Sequence, residues 1–187
     1  MNRLVDSIVA EDFTLQENQI SKCNETYKKR FETLKSIDFN DVDYITIFYG
    51  TNDWNYGRIL KSEDDANVEN KQRTNVEDSI RYCVSKLQEK YPHIKIIVLS
   101  PYWCTFDDNN TDKNPNKNGD YLEDYTNYIA SIAESMSVTK VINLYKELDS
   151  INYSNYEYYM YDGVHPSDRL HKILADILIS TIHNLER

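Results

Sequence analysis

The chain has 187 residues and a mass of 22.1 kDa, which suits one domain that buries roughly 70% of the surface of its unfolded state. Its formal charge of −10 and pI of about 4.8 argue against nucleic acid or an anionic membrane as a partner, because both attract basic surfaces. We therefore expect a single domain over residues 1–187 that binds a small molecule or a sugar-like ligand.

The three cysteines, Cys23, Cys83 and Cys104, lie far apart and have no paired spacing, so we expect neither a disulfide framework nor a metal, and no cofactor. Cys83 falls at an apolar helical position and is expected in the core. No segment has the long apolar run of a signal peptide or the roughly 20 apolar residues of a membrane span. The sequence as given predicts a cytoplasmic protein, although a missing N-terminus could hide a leader.

The first half predicts two helices and then a strand. Residues 3–10 and 17–37 carry apolar residues at helical spacing, three to four positions apart. The run DYITIFYG, Asp43 to Gly50, is β-branched and aromatic and ends at a glycine, as expected of a strand. A polar loop is expected over residues 51–70.

A helix from Thr74 to Tyr91, stopped by Pro92, is predicted next. The run IKIIVLSP after it is almost continuously apolar, which is typical of a strand buried on both faces of a parallel sheet. The polar loop at 104–119 is either a lid or an excursion beside a site, and the sequence does not decide between them.

The last third predicts a helix over 121–136, a short strand in TKVINLY, and a final helix over 168–185 capped by Ser167. Strands that alternate with helices of this length form a parallel sheet between helical layers. The fold class is therefore α/β.

Ligands of parallel α/β sheets bind at the carboxyl ends of the strands. Polar residues occupy these positions here. In GTND, directly after the first strand, Gly50 permits a tight turn and Asn52 could donate a hydrogen bond to a developing oxyanion. GTND alone is also a common turn composition.

Asp162 and His165 lie three residues apart in YDGVHPSD, where Gly163 and Pro166 exclude regular helix. A carboxylate that accepts one imidazole N–H fixes the tautomer and leaves the other nitrogen free to take a proton from a nucleophile. A turn cap and a structural histidine would give the same pair of residues.

Two further clusters permit more than one interpretation. The tyrosines of NYSNYEYYMYDG, residues 152–163, either stack on a polar ligand or pack half-buried under a loop. Asp53, Asp107, Asp108 and Asp112 lack the ligand spacing of an EF-hand and are expected to form a solvated acidic loop.

Taken together, these motifs resemble the SGNH (GDSL-type) hydrolase family, over a span from about Leu4 to the C-terminus. DYITIFYGTNDW is similar to the third block of that family, which implies an oxyanion-hole role for Asn52 and substrate contacts for Gly50, Asp53 and Trp54. YDGVHPSD is similar to the fifth block, which implies that Asp162 and His165 are catalytic. The resemblance also implies acyl-ester hydrolysis, often carbohydrate deacetylation, on a flavodoxin-like three-layer α/β/α sandwich.

The sequence departs from the family at the nucleophile. The family places its serine in a Gly-Asp-Ser block after a first strand, but here Val5 stands before Asp6-Ser7, and no glycine precedes Gly50. Ser7 is expected on a helix. We therefore expect an N-terminally truncated fold of about three strands without the nucleophile block, through truncation, a misplaced start or natural loss.

Leu170 is a second departure, because the family usually has a small glycine after its His-Pro motif. The larger side chain is expected to press on the final helix or its neighbours.

The resemblance favours a serine esterase-type hydrolase, and the alternative is a non-catalytic glycan-binding module of the same fold. In the family's strand order, 2-1-3-4-5, the two missing strands would lie beside DYITIFYG. Their absence leaves DYITIFYG at an edge of the sheet. Unpaired edge strands add to other strands, so the sequence predicts marginal stability with self-association or aggregation.

Overall fold

The computed structural model describes residues 1–61 and 75–187, and every element below lies in those ranges. Its helices alternate with three strands. The helices are α1 (Asn2–Ala10), α2 (Thr14–Ile20), α3 (Glu25–Lys35), α4 (Thr51–Asn55), α5 (Val76–Lys90), α6 (Leu122–Ser135), α7 (Leu144–Glu147) and α8 (Asp168–Leu185).

The three strands form a parallel sheet in the order β1-β2-β3, with β1 at Tyr44–Phe48, β2 at Lys95–Leu99 and β3 at Lys140–Ile142. In the central strand β2, Ile96 to Leu99 are at most 3% exposed, so both faces of this strand are buried. The predicted α/β class and the three strands are confirmed, and β1 lies at an edge of the described sheet.

Helices cover both faces of the sheet. On one face, Ile47 of β1 is buried with residues of α1 and α5, such as Val5 and Leu87. On the opposite face, Tyr44 of β1 donates a hydrogen bond of 3.3 Å to Glu186, just beyond the end of α8. The result is the predicted three-layer arrangement.

The structure corrects two predicted element bounds. The helix predicted over 17–37 is two helices, because the Asn24 side chain accepts the Tyr27 N–H at 3.1 Å and caps a new helix. The strand predicted in TKVINLY is limited to Lys140–Ile142. The Asn143 side chain accepts the Lys146 N–H at 3.3 Å and starts α7 there.

Three other predictions differ in part. Helix α5 begins at Val76, after an Asn75 cap, and the predicted start at Thr74 lies outside the described residues. The loop predicted over 51–70 opens with α4, and its residues 62–70 also lie outside the described ranges. Ser167 occupies the N-cap position of α8, as predicted, but its buried hydroxyl has no hydrogen-bond partner among the described residues.

Within the two described ranges, residues 1–61 and 75–187, no helix is both long enough and apolar enough to cross a membrane. The buried position predicted for Cys83 is confirmed, since its side chain is 0% exposed on α5.

Leu170 belongs to the core. Its side chain is 0% exposed, and α8 continues without interruption on both sides of it. The larger residue therefore fills the space between α8 and the rest of the core.

We predict that Leu170→Ala lowers the free energy of unfolding by about 2–5 kcal/mol, because it removes buried methyl groups and leaves a cavity. Ile179→Ala on the same helix is the matched control. Ile179 is 55% exposed, so its truncation should cost under about 0.5 kcal/mol. Urea unfolding of both variants measures the difference, and equal losses would contradict a core position for Leu170.

Candidate active site

A short loop between β3 and α8, residues 160–166, carries Asp162 and His165, and we call it the dyad loop. Its ends are paired, because Met160 and Pro166 form an isolated antiparallel bridge and the Tyr161 N–H donates to the His165 carbonyl at 2.9 Å. Gly163 in the loop has φ of +82°, a conformation that glycine adopts most readily. The backbone thereby turns back on itself and brings the two side chains together.

The carboxylate and the imidazole of this loop form a direct pair. Asp162 Oδ2 lies 2.7 Å from His165 Nδ1. Since an ionised carboxylate only accepts hydrogen bonds, Nδ1 carries the proton and Nε2 has a free lone pair. Within the described ranges Nε2 has no hydrogen-bond partner, and the His165 side chain is 75% exposed. His165 can therefore accept a proton from a group outside the loop.

The second oxygen of the same carboxylate holds the backbone. Asp162 Oδ1 accepts the N–H of His165 at 2.7 Å and that of Val164 at 3.0 Å. The backbone N–H of His165 and then its imidazole lower the pKa of Asp162 to about 2, because each hydrogen bond favours the charged form. Asp162 is thus a permanent anion at neutral pH that orients the imidazole.

Two hydrogen bonds fasten this loop to the segment that follows β2. Tyr102 O–H donates to the Val164 carbonyl at 2.8 Å, and the Thr105 N–H donates to the Gly163 carbonyl at 2.8 Å. Burial raises the pKa of Tyr102, which keeps its hydroxyl protonated as a donor. Tyr102 had no role predicted from the sequence, although its position directly after β2, at the carboxyl edge of the sheet, was a signal.

Gly50 and Asn52 lie at the carboxyl end of β1. Gly50 has φ of +125° and precedes α4, where a Cβ would lie 2.5 Å from the end of the Ile129 side chain. Asn52 is exposed, and its side-chain amide has no hydrogen-bond partner in the described part of the chain. This amide is therefore available as a donor.

Asp53 and Trp54 are buried in the wall behind that turn. The Asp53 carboxylate is 7% exposed, pairs with Arg58 at 2.9 Å and accepts the Tyr49 hydroxyl at 3.0 Å. Burial, and then the Asp53 charge, raise the pKa of Tyr49 to about 12. Trp54 is 3% exposed and donates its indole N–H to the Asp120 carbonyl at 2.9 Å. These contacts position α4, and Arg58 and Tyr49 had not been identified from the sequence.

One open pocket of about 700 Å³ joins these elements at the carboxyl edge of the sheet. It brings together five of the six residues predicted for the site, and only Trp54 does not line it. The lining residues are Phe48, Tyr49, Gly50, Thr51, Asn52, Asp53, Tyr102, Phe106, Asp107, Asp162, Val164, His165 and Pro166.

These lining residues include no serine or cysteine, and Thr51 is their one aliphatic hydroxyl. Ser7 lies on α1, as predicted, where it is 6% exposed and donates to the Gln16 side chain at 2.9 Å. Cys104 is fully buried, and burial raises the pKa of its thiol to about 12. The described residues therefore provide a base and its orienting carboxylate without an evident nucleophile.

The loop at 104–119 is an excursion beside this pocket. Phe106 and Asp107 line the pocket, while Asp112 accepts hydrogen bonds from Trp103 at 2.7 Å and from Tyr145 at 2.8 Å. Thr111 also donates to the Cys104 carbonyl at 2.8 Å. These bonds tie the middle of the excursion to its own start and to Tyr145.

Two of the five tyrosines before the dyad loop, Tyr153 and Tyr156, contact this excursion, whereas Tyr158 and Tyr161 are each 69% exposed, and none of the five lines the pocket. Tyr156 packs on Trp103 with ring centroids 5.8 Å apart and donates to the Asp108 carboxylate at 2.8 Å. Tyr153 donates to the Asp108 carbonyl at 2.9 Å. The contacts thus match the packing interpretation of these tyrosines.

In residues 1–61 and 75–187, no three histidine, cysteine, aspartate or glutamate side chains converge on a possible metal position. Three carboxylates of the predicted acidic cluster, those of Asp53, Asp108 and Asp112, are engaged by the groups named above.

Comparison with known proteins identifies the class. The sequence profile of the GDSL-like Lipase/Acylhydrolase family matches residues 8–173, and the chain belongs to this family. This confirms the predicted resemblance and places the chain, at the level of the family, among hydrolases. No curated protein matches the chain.

Solved structures show the same fold. A protein from Lactobacillus plantarum is similar with a TM-score of 0.65 and 21% identity, over 81% of this chain and 71% of that one. A possible lipase from Chitinophaga pinensis is similar with a TM-score of 0.58 and 26% identity, over 77% of this chain and 73% of that one.

We predict that Gly163→Ala destabilises the protein more than Gly119→Ala does. Both glycines have positive φ, +82° and +90°, so both variants carry a backbone cost of about 1–2 kcal/mol. A Cβ at Gly163 would also lie 2.8 Å from the Thr105 carbonyl oxygen, whereas nothing lies within 4 Å of one at Gly119. Thermal unfolding measures the difference, and equal melting temperatures would contradict the close contact of the dyad loop with Thr105.

We also predict that the Asp162 carboxyl titrates with a midpoint near 2, as followed by side-chain carbon NMR. A pKa below the ordinary 3.8 means that the stabilising contacts are complete above about pH 3.8 and are lost as the pH falls through about 2. His165→Ala should raise the midpoint but keep it below 3.8, because the two backbone N–H groups remain.

His171→Ala is the control for that titration, because His171 contacts the Ser167 carbonyl on α8 and not Asp162. It should leave the midpoint unchanged. A wild-type midpoint at the ordinary value would show that the hydrogen bonds to Asp162 are absent in solution.

Proposed function

We propose that the pocket binds an acyl ester and that His165, Asp162 and Asn52 perform the acid–base and oxyanion functions of its hydrolysis. The observation that carries the proposal is the 2.7 Å contact between Asp162 Oδ2 and His165 Nδ1, which leaves Nε2 free in the same pocket as the unpartnered Asn52 amide. A base held in one tautomer and a donor for a developing negative charge are the two aids that ester hydrolysis needs.

The roles follow from the chemistry of each group. His165 Nε2 takes the proton of an attacking hydroxyl while the oxygen of that hydroxyl bonds to the ester carbonyl carbon. The carbonyl oxygen becomes an oxyanion, which accepts a hydrogen bond from the Asn52 side-chain N–H. The imidazolium then gives the proton to the leaving alcohol as the C–O bond breaks. The Asp162 anion stabilises the imidazolium between these steps.

The attacking hydroxyl belongs to a water molecule, because the described lining of the pocket contains no serine. Removal of a triad nucleophile costs a factor on the order of 10⁶ in turnover, but the oxyanion donor and binding still accelerate the reaction about 10³–10⁴-fold over water. We therefore propose that these 187 residues alone hydrolyse esters only at this low residual level.

The charge and lining of the pocket favour a neutral substrate. Asp107 and Asp162 line it together with the aromatic rings of Phe48, Tyr102 and Phe106, and the chain carries a net charge of −10. Anionic acyl groups are repelled by this field, while aromatic faces pack against sugar rings. An acetylated carbohydrate is the substrate class that these features favour, and the same features would serve a non-catalytic glycan-binding module.

We predict that Asn52→Ala lowers the residual hydrolysis of p-nitrophenyl acetate by about 10–10³-fold, because one oxyanion donor is lost. His165→Ala should lower the residual rate by less than Asn52→Ala does, because most of that rate comes from the oxyanion donor and binding. His171→Ala is the matched control for hydrolysis by an exposed imidazole, and Ser7→Ala tests the buried serine; both should keep the wild-type rate.

Two outcomes would reject this proposal. Robust turnover that Ser7→Ala abolishes, with fluorophosphonate labelling of Ser7, would make Ser7 the nucleophile. Equal rates in wild type, Asn52→Ala and His165→Ala, together with retention on an immobilised glycan, would establish the binding module instead.

A further inference from the structure

The free edge of β1 presents a row of unpaired backbone groups. In the parallel pairing with β2, the Lys95 N–H donates to the Asp43 carbonyl at 2.8 Å. The register Tyr44↔Lys95 then directs the backbone N–H and C=O groups of Ile45 and Ile47 toward β2 as well. The N–H and C=O groups of Tyr44, Thr46 and Phe48 therefore point away from β2. Within the described residues, none of these groups has a hydrogen-bond partner.

An apolar groove of about 410 Å³ runs along this edge. None of its side chains is charged at neutral pH, and Phe48, Leu4 and Ile37 are 47%, 40% and 41% exposed. The lining residues are Met1, Leu4, Val5, Ile8, Leu34, Ile37, Phe39, Val42, Tyr44, Ile45, Thr46, Ile47, Phe48, Tyr49 and Leu87. The groove suits an uncharged, extended segment that can complete a backbone ladder.

We propose that β1 of a second copy of this chain occupies the edge, antiparallel to β1 and related to it by a two-fold axis at Thr46. The two sheets then join into one sheet of six strands. This proposal does not depend on the enzymatic function, because it rests on the backbone pattern and side chains of β1.

The register centred on Thr46 is self-complementary. Thr46 faces Thr46 of the partner subunit, and Tyr44 faces Phe48 of the partner subunit, so all three residues with outward backbone groups become hydrogen-bonded pairs. On the other face of the strand, Ile45 lies opposite Ile47 of the partner subunit. Aromatic pairs and β-branched pairs are the cross-strand combinations that stabilise antiparallel strands.

Charge also selects this surface for contact between copies. Each chain carries a net charge of −10, so two copies repel each other over most approaches. The run from Tyr44 to Gly50 has no charged side chain, and neither does the groove lining beside it, where the Met1 α-ammonium is a cation at one position. Two copies can meet here without placing like charges in contact, and added salt should strengthen the association by screening the remaining repulsion.

The dimer would also extend the candidate active site. Phe48 lines the pocket and is paired with Tyr44 of the partner subunit on the same face of the sheet. The partner's tyrosine ring therefore lies beside the rim of the pocket, where it adds aromatic surface for the substrate.

We predict that the wild-type chain has twice its 22.1 kDa mass by light scattering at micromolar concentration and dissociates on dilution. Thr46→Pro removes an outward N–H without touching the β1–β2 ladder, and Thr46→Lys places two ammonium groups opposite each other. Each should raise the dissociation constant on the order of 100-fold or more. Ile179→Lys, which changes the exposed apolar residue on α8 to the same charge, is the matched control and should remain dimeric.

A crosslink tests the register. In a Cys23→Ser background, which removes the exposed native thiol, Thr46→Cys should form an intermolecular disulfide under mild oxidation. The two Cα atoms would lie about 5.5 Å apart, but the Cβ atoms of a hydrogen-bonded pair lie roughly 5 Å apart, slightly beyond the ordinary disulfide range, so a short bismaleimide is added as a second crosslinker and either crosslink counts as formed. Ile179→Cys in the same background should not crosslink.

The outcomes decide the proposal. A wild-type chain that is monomeric at all concentrations overturns it, as does a dimer that Thr46→Pro and Thr46→Lys leave intact while circular dichroism shows both variants folded. A dimer that forms without the Thr46→Cys crosslink overturns the register. Loss of dimer in both Thr46 variants, with the crosslink formed, supports it.

Discussion

The candidate site depends on the two hydrogen bonds that tie the dyad loop to the segment after β2. Tyr102 and Thr105 hold the carbonyls of Val164 and Gly163 at 2.8 Å each. Tyr102 and Thr105 are themselves at most 6% exposed and follow the most deeply buried strand of the sheet. The dyad therefore takes its position from the core, although its own side chains are largely exposed.

This arrangement separates the tasks of the Asp162 carboxylate. One oxygen orients the imidazole and the other shapes the backbone, so a change in the turn changes the position of the base. Because the pair is exposed to water, its charges are screened and contribute little to folding stability. A substrate that covers the pocket would exclude this water and strengthen the same electrostatic contacts at the time of the reaction.

Much of the fold and of the site could be predicted from sequence. Strands β1 and β2 lie within the predicted apolar runs, Gly50 and Asn52 were identified from their position after a strand, and Asp162 and His165 from their spacing in a loop. The local sequence pattern did not predict which loop residues are buried. Asp53 and Trp54 look like exposed loop residues in the sequence, but tertiary contacts with Arg58 and Asp120 bury both.

The breaks in predicted elements have a common local cause. At Asn24 and Asn143 an asparagine side chain accepts a backbone N–H and caps the start of a new helix, so a short polar side chain outweighs apolar periodicity. The hydrogen bonds of Arg58 and Tyr102 could not be predicted from neighbouring residues, because their partners are five or more residues away, as far as Val164 in the case of Tyr102. Contacts of that kind become visible only once the strands are placed side by side.

The two edges of β1 explain why the site and the sheet edge are linked. One edge of β1 is fixed by β2, and the same strand leads into Gly50 and the turn that carries Asn52. With the other edge unpaired, half of the backbone groups of β1 contribute nothing to holding that turn in place. A strand on that edge would therefore order the turn that carries Asn52 as well as bury the groove, since both effects act through the same five residues, Tyr44–Phe48.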